Sequence, residues 1–377
     1  MELLKSHPYI PNADPTVQCA MLDAAGISSL DELHADVPEA LRLGRPLELP
    51  PRIDSEYALE RHVAGLLRKN TDCTEALSFL GAGCYQHHVP AVCDEIASRS
   101  EFRTAYAGEP YEDHGRFQAL FEYQSLMAEL LDADVVNVPA MDGAQAAATA
   151  ICMASRMTGR PRALISADIH PDKKRIIENY CRANMTIEYV PFDETTGQPD
   201  AAAFSARLDS DVCCIYLESP SFLGVIPENI EELTSAAHRV NAEVVAGCEP
   251  SLLGVLESPM NRGADIVTGD IQSLGNHMNA GGGQGGFIAT RSELRYVREY
   301  PSRLFGITRT CVPGEYGFGD VYYDRTSFAH RETGKEYVGT QAALCGIVAG
   351  VYLSLMGPDG MRRLGERMLL STRYLAE

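Results

Sequence analysis

The chain reads as an α/β protein built on a mostly parallel, seven-stranded sheet with helices on both faces. Three observations carry that expectation. From about residue 114, short β-rich runs alternate with helical runs, and those β-rich runs are mainly apolar rather than apolar only at every second position, as strands covered on both faces require. The third is bulk: 377 residues, 45% of them apolar and 22% charged, suffice for one large core with a smaller unit attached and exclude a disordered or fibrous chain.

Three regions follow in order. Residues 1–70 read as an N-terminal arm, in which the proline-rich connectors HPYIPNADP and RPLELPPRIDS flank MLDAAGISSLDELHADVPEALR. Arms of this kind wrap a partner or simply form an irregular subdomain, and the residues leave both open. Residues 71–305 read as the large α/β domain. Its candidate strands are VVNV (135–138), ALISA (163–167), MTIEYV (185–190), VCCIYL (212–217), EVVAGC (243–248), DIVTG (265–269) and GFIAT (286–290). Helical stretches such as GAQAAATAICMASRM, PDKKRIIENYCRAN and NIEELTSAAHRVN lie between them. Residues 306–377 read as a short C-terminal domain, loop-rich to about 340 and helical to the end. Ligands of such sheets bind at the carboxyl ends of the strands.

Charge and cysteine content narrow the function. Lys and Arg number 32 against 52 Asp and Glu, a formal charge of −20 that repels phosphate backbones and anionic lipid, so no nucleic acid and no membrane surface is expected as a partner. The eleven cysteines show no CxxC pair and no zinc-type spacing, which reads as buried thiols of a reducing, cytoplasmic setting with no metal site. The N-terminus shows no apolar leader, and the uncharged stretch 338–358, with four glycines, Thr340, Gln341 and Ser354, reads as a buried helix rather than a bilayer span.

Three places could carry chemistry. Asp142-Gly143-Ala144-Gln145 opens a small-residue helix after a strand, where free backbone N–H groups can hold a phosphate, or where Asp142 simply caps the helix. The glycine run 281–286 before GFIAT fits a tight turn near a site or a flexible hairpin. SFLGAGCYQHHVP (78–90) and TAYAGEPYEDHG (104–115) are loops dense in Tyr, His and carboxylate, and Tyr85, His87, His88, Tyr106, Glu112 and His114 are the candidates for acids, bases or orienting donors facing a pocket.

Several stretches in one order then point to a family. YIPNADPTVQCAMLDAAGISSLDELHADVPEALR, SFLGAGCYQHHVPAV, QALFEYQSLMAELLDADVVNV with MDGAQAAATA, SPSFLGVI, EPSLLG, RGADIVTGDIQSLG and YLSLMGPDGMRRL together resemble the P-protein of the glycine cleavage system, in the form of subunit 1 of the two-subunit glycine decarboxylase. The resemblance covers nearly the whole chain. It implies the type I pyridoxal-phosphate fold, with the cofactor phosphate on a helix N-terminus (Asp142, Gly143, Ala144, Gln145), further contacts from Glu249, and a lysine after the strand in GADIV. Here the matching positions are Gln272 and Ser273, and no lysine lies between Lys174 and Lys335.

The resemblance therefore implies a chain that works with a lysine-bearing subunit 2. That partner would hold pyridoxal phosphate covalently, glycine would be decarboxylated as the amino-acid substrate, and the aminomethyl group would pass to a lipoyl carrier, the H-protein. Three departures stand out: AGEPYEDHG (107–115) is shorter than the family's loop, RETGKEY (331–337) places Lys335 and Glu336 in a segment read as facing the site, and Glu249 replaces an Asp. They leave open a paralogue acting on another amino acid, or a noncatalytic scaffold.

Overall fold

The computed structural model describes residues 11–377 apart from 46, 74, 80–83, 104–113, 279–283, 302, 327–329, 331, 333–334 and 336–341. The chain divides into two compact units, residues 1–76 and 77–377.

In the first unit local signals, not a core, make the helices. Asp14 caps α1 (Pro15–Ala25) by accepting from Thr16 N at 2.9 Å, and Gly26, at φ 70°, ends it in the left-handed conformation. Ser55 caps α2 (Glu56–Leu67), accepting from Ala58 N at 3.3 Å. None of the described residues of this unit is buried. Leu30, Leu33, Leu41, Leu43, Leu47 and Leu49 are all exposed, apolar area that the unit does not cover by itself.

The second unit opens with α3 (Ala91–Ser98) and α4 (His114–Leu131), then builds the sheet. Its strands are β1 (Val135–Val136), β2 (Arg162–Ser166), β3 (Thr186–Val190), β4 (Val212–Ser219), β5 (Glu243–Cys248), β6 (Ile266–Asp270) and β7 (Gly286–Thr290), the seven expected runs with ends that agree or differ by one or two residues. Spatial order is β1-β7-β6-β5-β4-β2-β3. Strands β2 to β6 pair in parallel, and β7 runs antiparallel to both β6 and β1. The intervening helices are α5 (Gly143–Thr158), α6 (Pro171–Cys181), α7 (Ala201–Arg207) and α8 (Ile230–Arg239), with the short α9 (Leu294–Val297) after β7.

Two apolar layers result. On one face the small residues Ala146, Ala147, Ala150 and Ala154 let α5 lie close over Ile165, Tyr216, Val245, Ile266 and Ile288. On the other, Leu217, Val244 and Val267 meet Ile230 and Leu233 of α8 and Tyr123, Met127 and Leu131 of α4. Tyr123 is fully buried there, and its hydroxyl has no hydrogen-bond partner among the described residues. Tyr123→Phe is therefore expected to raise stability by about 1 kcal/mol in urea denaturation, because it removes an unpaid polar burial; a loss of that size would show that the hydroxyl is satisfied.

The stretch after 305 contains more structure than its loop-like composition suggests. FGITR and YGFGD form an antiparallel hairpin, β8 (Phe305–Arg309) and β9 (Tyr316–Asp320), anchored by Arg303 to Asp320 at 2.5 Å. Glycines at 306, 317 and 319 interrupt the apolar pattern by which strands are recognised. The last helix, α10 (Ala343–Ala376), breaks at Gly357 (φ 58°) before Pro358, a residue that cannot donate to the helix. By length and composition α10 could cross a membrane, but Ile347, Val348, Ala349, Tyr352 and Leu353 are buried in the protein. Hairpin and helix belong to the same compact unit as the sheet.

Candidate functional site

The carboxyl ends of the parallel strands meet the start of α5. Asp142 is extended and caps that helix: its Oδ1 accepts from Gln145 N at 2.7 Å, and its carbonyl accepts from Ala146 N at 3.0 Å. The Gln145 carboxamide returns the contact, its Oε1 accepting from Met141 N at 2.8 Å. The Gly143 N–H donates to Asp270 Oδ2 at 2.8 Å. Period-two alternation places Asp270 there, since Ile266, Thr268 and Asp270 of β6 share the face that α5 covers. A Cβ on Gly143 would lie 3.0 Å from Gly269 C and 3.1 Å from Asp270 Cβ, so glycine permits this approach.

Asp270 also accepts from Gln272 N at 2.9 Å through Oδ1. Burial pushes its carboxyl up to about 7; the two N–H bonds oppose that rise, and Asp142 and Glu249 reinforce it. One residue beyond Gln272, the Ser273 hydroxyl donates to Glu249 Oε1, which accepts also from Ser251 N at 3.2 Å and Ser251 Oγ at 2.7 Å. Gln272 is itself consumed: Oε1 accepts from Tyr85 N at 2.8 Å, and Nε2 donates to the carbonyls of Tyr85 at 2.9 Å and Asn276 at 3.0 Å.

Beside this cluster, Lys173 from the first turn of α6 reaches Glu218 near the end of β4. The Tyr216 hydroxyl donates to the same carboxylate oxygen at 2.7 Å. Sequence spacing leaves no lysine near the strand that carries Ser273, yet the fold brings one to the same sheet edge, two strands away and already paired. Asp168, just past β2, is 3% exposed, and neither carboxylate oxygen is hydrogen-bonded among the described residues. No motif distinguishes Lys173, Glu218, Asp168 or Asp270 in the chain. The one available signal for Asp270 was its even spacing from Ile266 along an apolar strand.

Among the expected cofactor residues, Asp142 and Gln145 are bonded to each other, as are Glu249 and Ser273, and Asp270 joins Gly143 to Gln272; Ala144 lies in the first turn of α5 between them. Of the expected catalytic residues, Tyr85 reaches the cluster through its backbone. His87 follows it, with Nδ1 at 3.2 Å from the Tyr85 carbonyl, its ring edge-on to Tyr352 at 6.5 Å, and a buried Nε2 that has no partner among the described residues. His88 is exposed. Tyr106 and Glu112 lie outside the described residues, as does the side chain of His114, which starts α4. The reading of RETGKEY as facing the site is corrected at Lys335. Its Nζ donates to Glu299 Oε1 at 2.9 Å, and Arg156 holds the same carboxylate at 2.6 Å. Arg156 is in the last turn of α5, about 20 Å along the helix from Asp142. Position in the chain suggested proximity that helix length removes.

The strand order and the helix start at the carboxyl edge are those of a type I pyridoxal-phosphate fold, and Ser273 stands past β6 at a position where the resemblance implies a lysine. The comparisons narrow this to a family. The model of the glycine cleavage system P-protein family matches residues 7–377, and the chain belongs to that family. It is 37% identical over 375 residues to a probable glycine dehydrogenase (decarboxylating) subunit 1 of Saccharolobus islandicus, covering 98% of this chain and 82% of that one. The corresponding protein of Staphylothermus marinus is 36% identical over 379 residues, with 98% and 80% covered. An inhibitor-bound crystal structure of glycine decarboxylase (P-protein) superposes with a TM-score of 0.82 at 33% identity, covering 96% of this chain and 79% of that one. A sphingosine-1-phosphate lyase of Burkholderia pseudomallei, at 16% identity and TM-score 0.59, covering 87% and 74%, shares the fold.

The residues do not fit pyridoxal phosphate within this chain. Asp142 and Asp270 take the N–H groups of Gln145 and Gly143, Glu249 is taken by Ser273, and three carboxyl groups would face a phosphate.

Proposed function

We propose that the chain is the lysine-lacking subunit of a heteromeric glycine decarboxylase. It acts with a lysine-bearing subunit 2 that holds pyridoxal phosphate, decarboxylates glycine, and passes the aminomethyl group to a lipoyl carrier protein. One observation carries the reading: at the strand end where the resemblance places a reactive amine, this chain has the Ser273 hydroxyl bonded to Glu249, in a chain that the P-protein family model matches over residues 7–377. The cofactor, on the partner, supplies the electron sink for loss of CO₂. This chain's residues exclude water and hold geometry: the engaged edge from Tyr85 through Gln272 to Asp270 is a rigid wall, and His87 and His88 are its candidate orienting groups. The uncovered leucines of the first unit are the surface we assign to subunit contact, and the eleven free thiols suit a reducing cytoplasm.

The test is to purify the chain alone, the lysine-bearing subunit alone and the two together, then measure glycine-dependent exchange of labelled bicarbonate with the lipoyl carrier present. Exchange is expected only from the mixture, at least about 100-fold above either chain. Exchange by this chain alone would overturn the reading. A stable complex silent on glycine would replace glycine by another amino acid.

A further inference from the structure

We infer that the carboxyl group of Asp270 occupies the anion seat at the start of α5, so that the chain itself fills the place where a type I fold receives a phosphate. The inference rests on the fold, not on the choice of glycine as substrate, and its test involves no turnover.

A helix start has N–H groups without partners inside the helix, and these attract an anion. In α5 two of them are already spent: Gln145 N goes to the Asp142 side chain, and Gly143 N, from the first residue of the helix, to Asp270, while Ala146 N makes the first helical bond to the Asp142 carbonyl. Asp142 alone is an ordinary cap. Asp270 is not a cap of that kind: it arrives from β6, 127 residues away, and its oxygen stands in front of Gly143 where a ligand oxygen would stand. The other oxygen is fixed by Gln272 N, so the side chain cannot swing aside without losing a second bond. Space agrees with bonding, since the end of β6 lies within 3.1 Å of the Cβ that Gly143 lacks.

The other end of the site is closed in the same manner, by Ser273 on Glu249. Among the described residues, the ionisable groups that act on Asp270 or are acted on by it are Asp142, Glu249, Tyr123 of α4 and Cys345 of α10, and none of these is a cation. A phosphate dianion would meet carboxyl groups instead of donors. Loss of the lysine is thus only half of what separates this chain from a cofactor-binding one, and a lysine restored at 273 would still find the phosphate seat filled.

The experiment titrates the full-length chain with inorganic phosphate and follows ³¹P line broadening, in the wild type, Asp270→Ala and Asp270→Asn. The wild type is expected to show no saturable binding. Asp270→Ala empties the seat and is expected to bind phosphate at least about tenfold more tightly than the wild type. Asp270→Asn keeps one oxygen acceptor, for Gly143 N–H, at the cost of turning its NH₂ toward Gln272 N–H; because its side chain still fills the seat, it is expected to stay silent. Equal binding by the wild type and Asp270→Ala, binding by Asp270→Asn, or a folded but silent Asp270→Ala would each overturn the inference.

Should Asp270→Ala fail to fold, the isosteric Asn variant decides through stability against pH. A buried Asp270 with its pKa at about 7, against about 3.9 unfolded, keeps a proton that the unfolded chain has released. Wild-type stability then falls as pH rises from about 4 to 7, by a slope of up to one proton. Asp270→Asn is expected to lose that decline, and an unchanged slope would overturn the placement of Asp270 in the seat.

Discussion

Gly286→Ala should destabilise the chain by about 3–5 kcal/mol, or leave it unable to fold. The added Cβ would lie 2.0 Å from the Asp142 carbonyl oxygen and 2.6 Å from its carbon. Neither backbone can yield cheaply. Gly286 opposes Asp270 in the β6–β7 ladder, and on its other side exchanges hydrogen bonds with Ala140, at 2.9 Å through its N–H and 2.7 Å through its carbonyl. The Asp142 carbonyl is the first acceptor of α5, so moving it costs the bond from Ala146 N and shifts the cap on Gln145. The same displacement would draw Gly143 away from Asp270. Chemical denaturation of the variant, or its yield in soluble form, reads the effect; a loss under about 1 kcal/mol would mean that α5 slides freely over β7 and would undo the account of a fixed helix start.

The second large effect is expected at Lys173. Replacing it by Met should cost about 3–5 kcal/mol, because Glu218, with a side chain only 9% exposed, keeps just the Tyr216 hydroxyl to compensate its charge. Lys173 is 23% exposed on its side-chain surface, so the lost attraction is only partly screened by solvent. Pairing Lys173→Met with Glu218→Gln removes both charges and leaves a carboxamide that the Tyr216 hydroxyl can still reach. The double variant should therefore recover most of the loss, with a coupling energy of about 1–3 kcal/mol in a double-mutant cycle. Strict additivity of the two substitutions would show that Lys173 and Glu218 do not depend on each other in solution. Gly247 matters to the same cluster, since a Cβ there would come within 2.8 Å of the Tyr216 hydroxyl oxygen.

Much of the architecture was legible in the chain because each piece has a local cause. VCCIYL is apolar at every position and EVVAGC at every position after Glu243, which fits strands buried on both faces, and both are found so. GAQAAATAICMA announces a helix thin enough to lie flat on the sheet. The hairpin 305–320 went unread because its strands earn their place through packing against α4, where Phe305 meets Phe117 and Phe318 meets Phe121, rather than through a periodic apolar pattern. Gly357 and Pro358 mark the break of α10 in plain sight, whereas Lys335 could not be placed at the far end of α5 without knowing which carboxylate it meets.

The candidate site divides along the same line. By itself the sequence determined the class of fold, the family, and the absence of an amine at residue 273, because each depends on residue type at a position. Tertiary structure alone decided what stands in for the missing groups. Asp270 meets Gly143, Ser273 meets Glu249, and Lys173 meets Glu218 across 127, 24 and 45 residues of chain. A hydrogen bond depends on distance and direction in space, and separations of that size along the chain specify neither until the sheet brings the strand ends together.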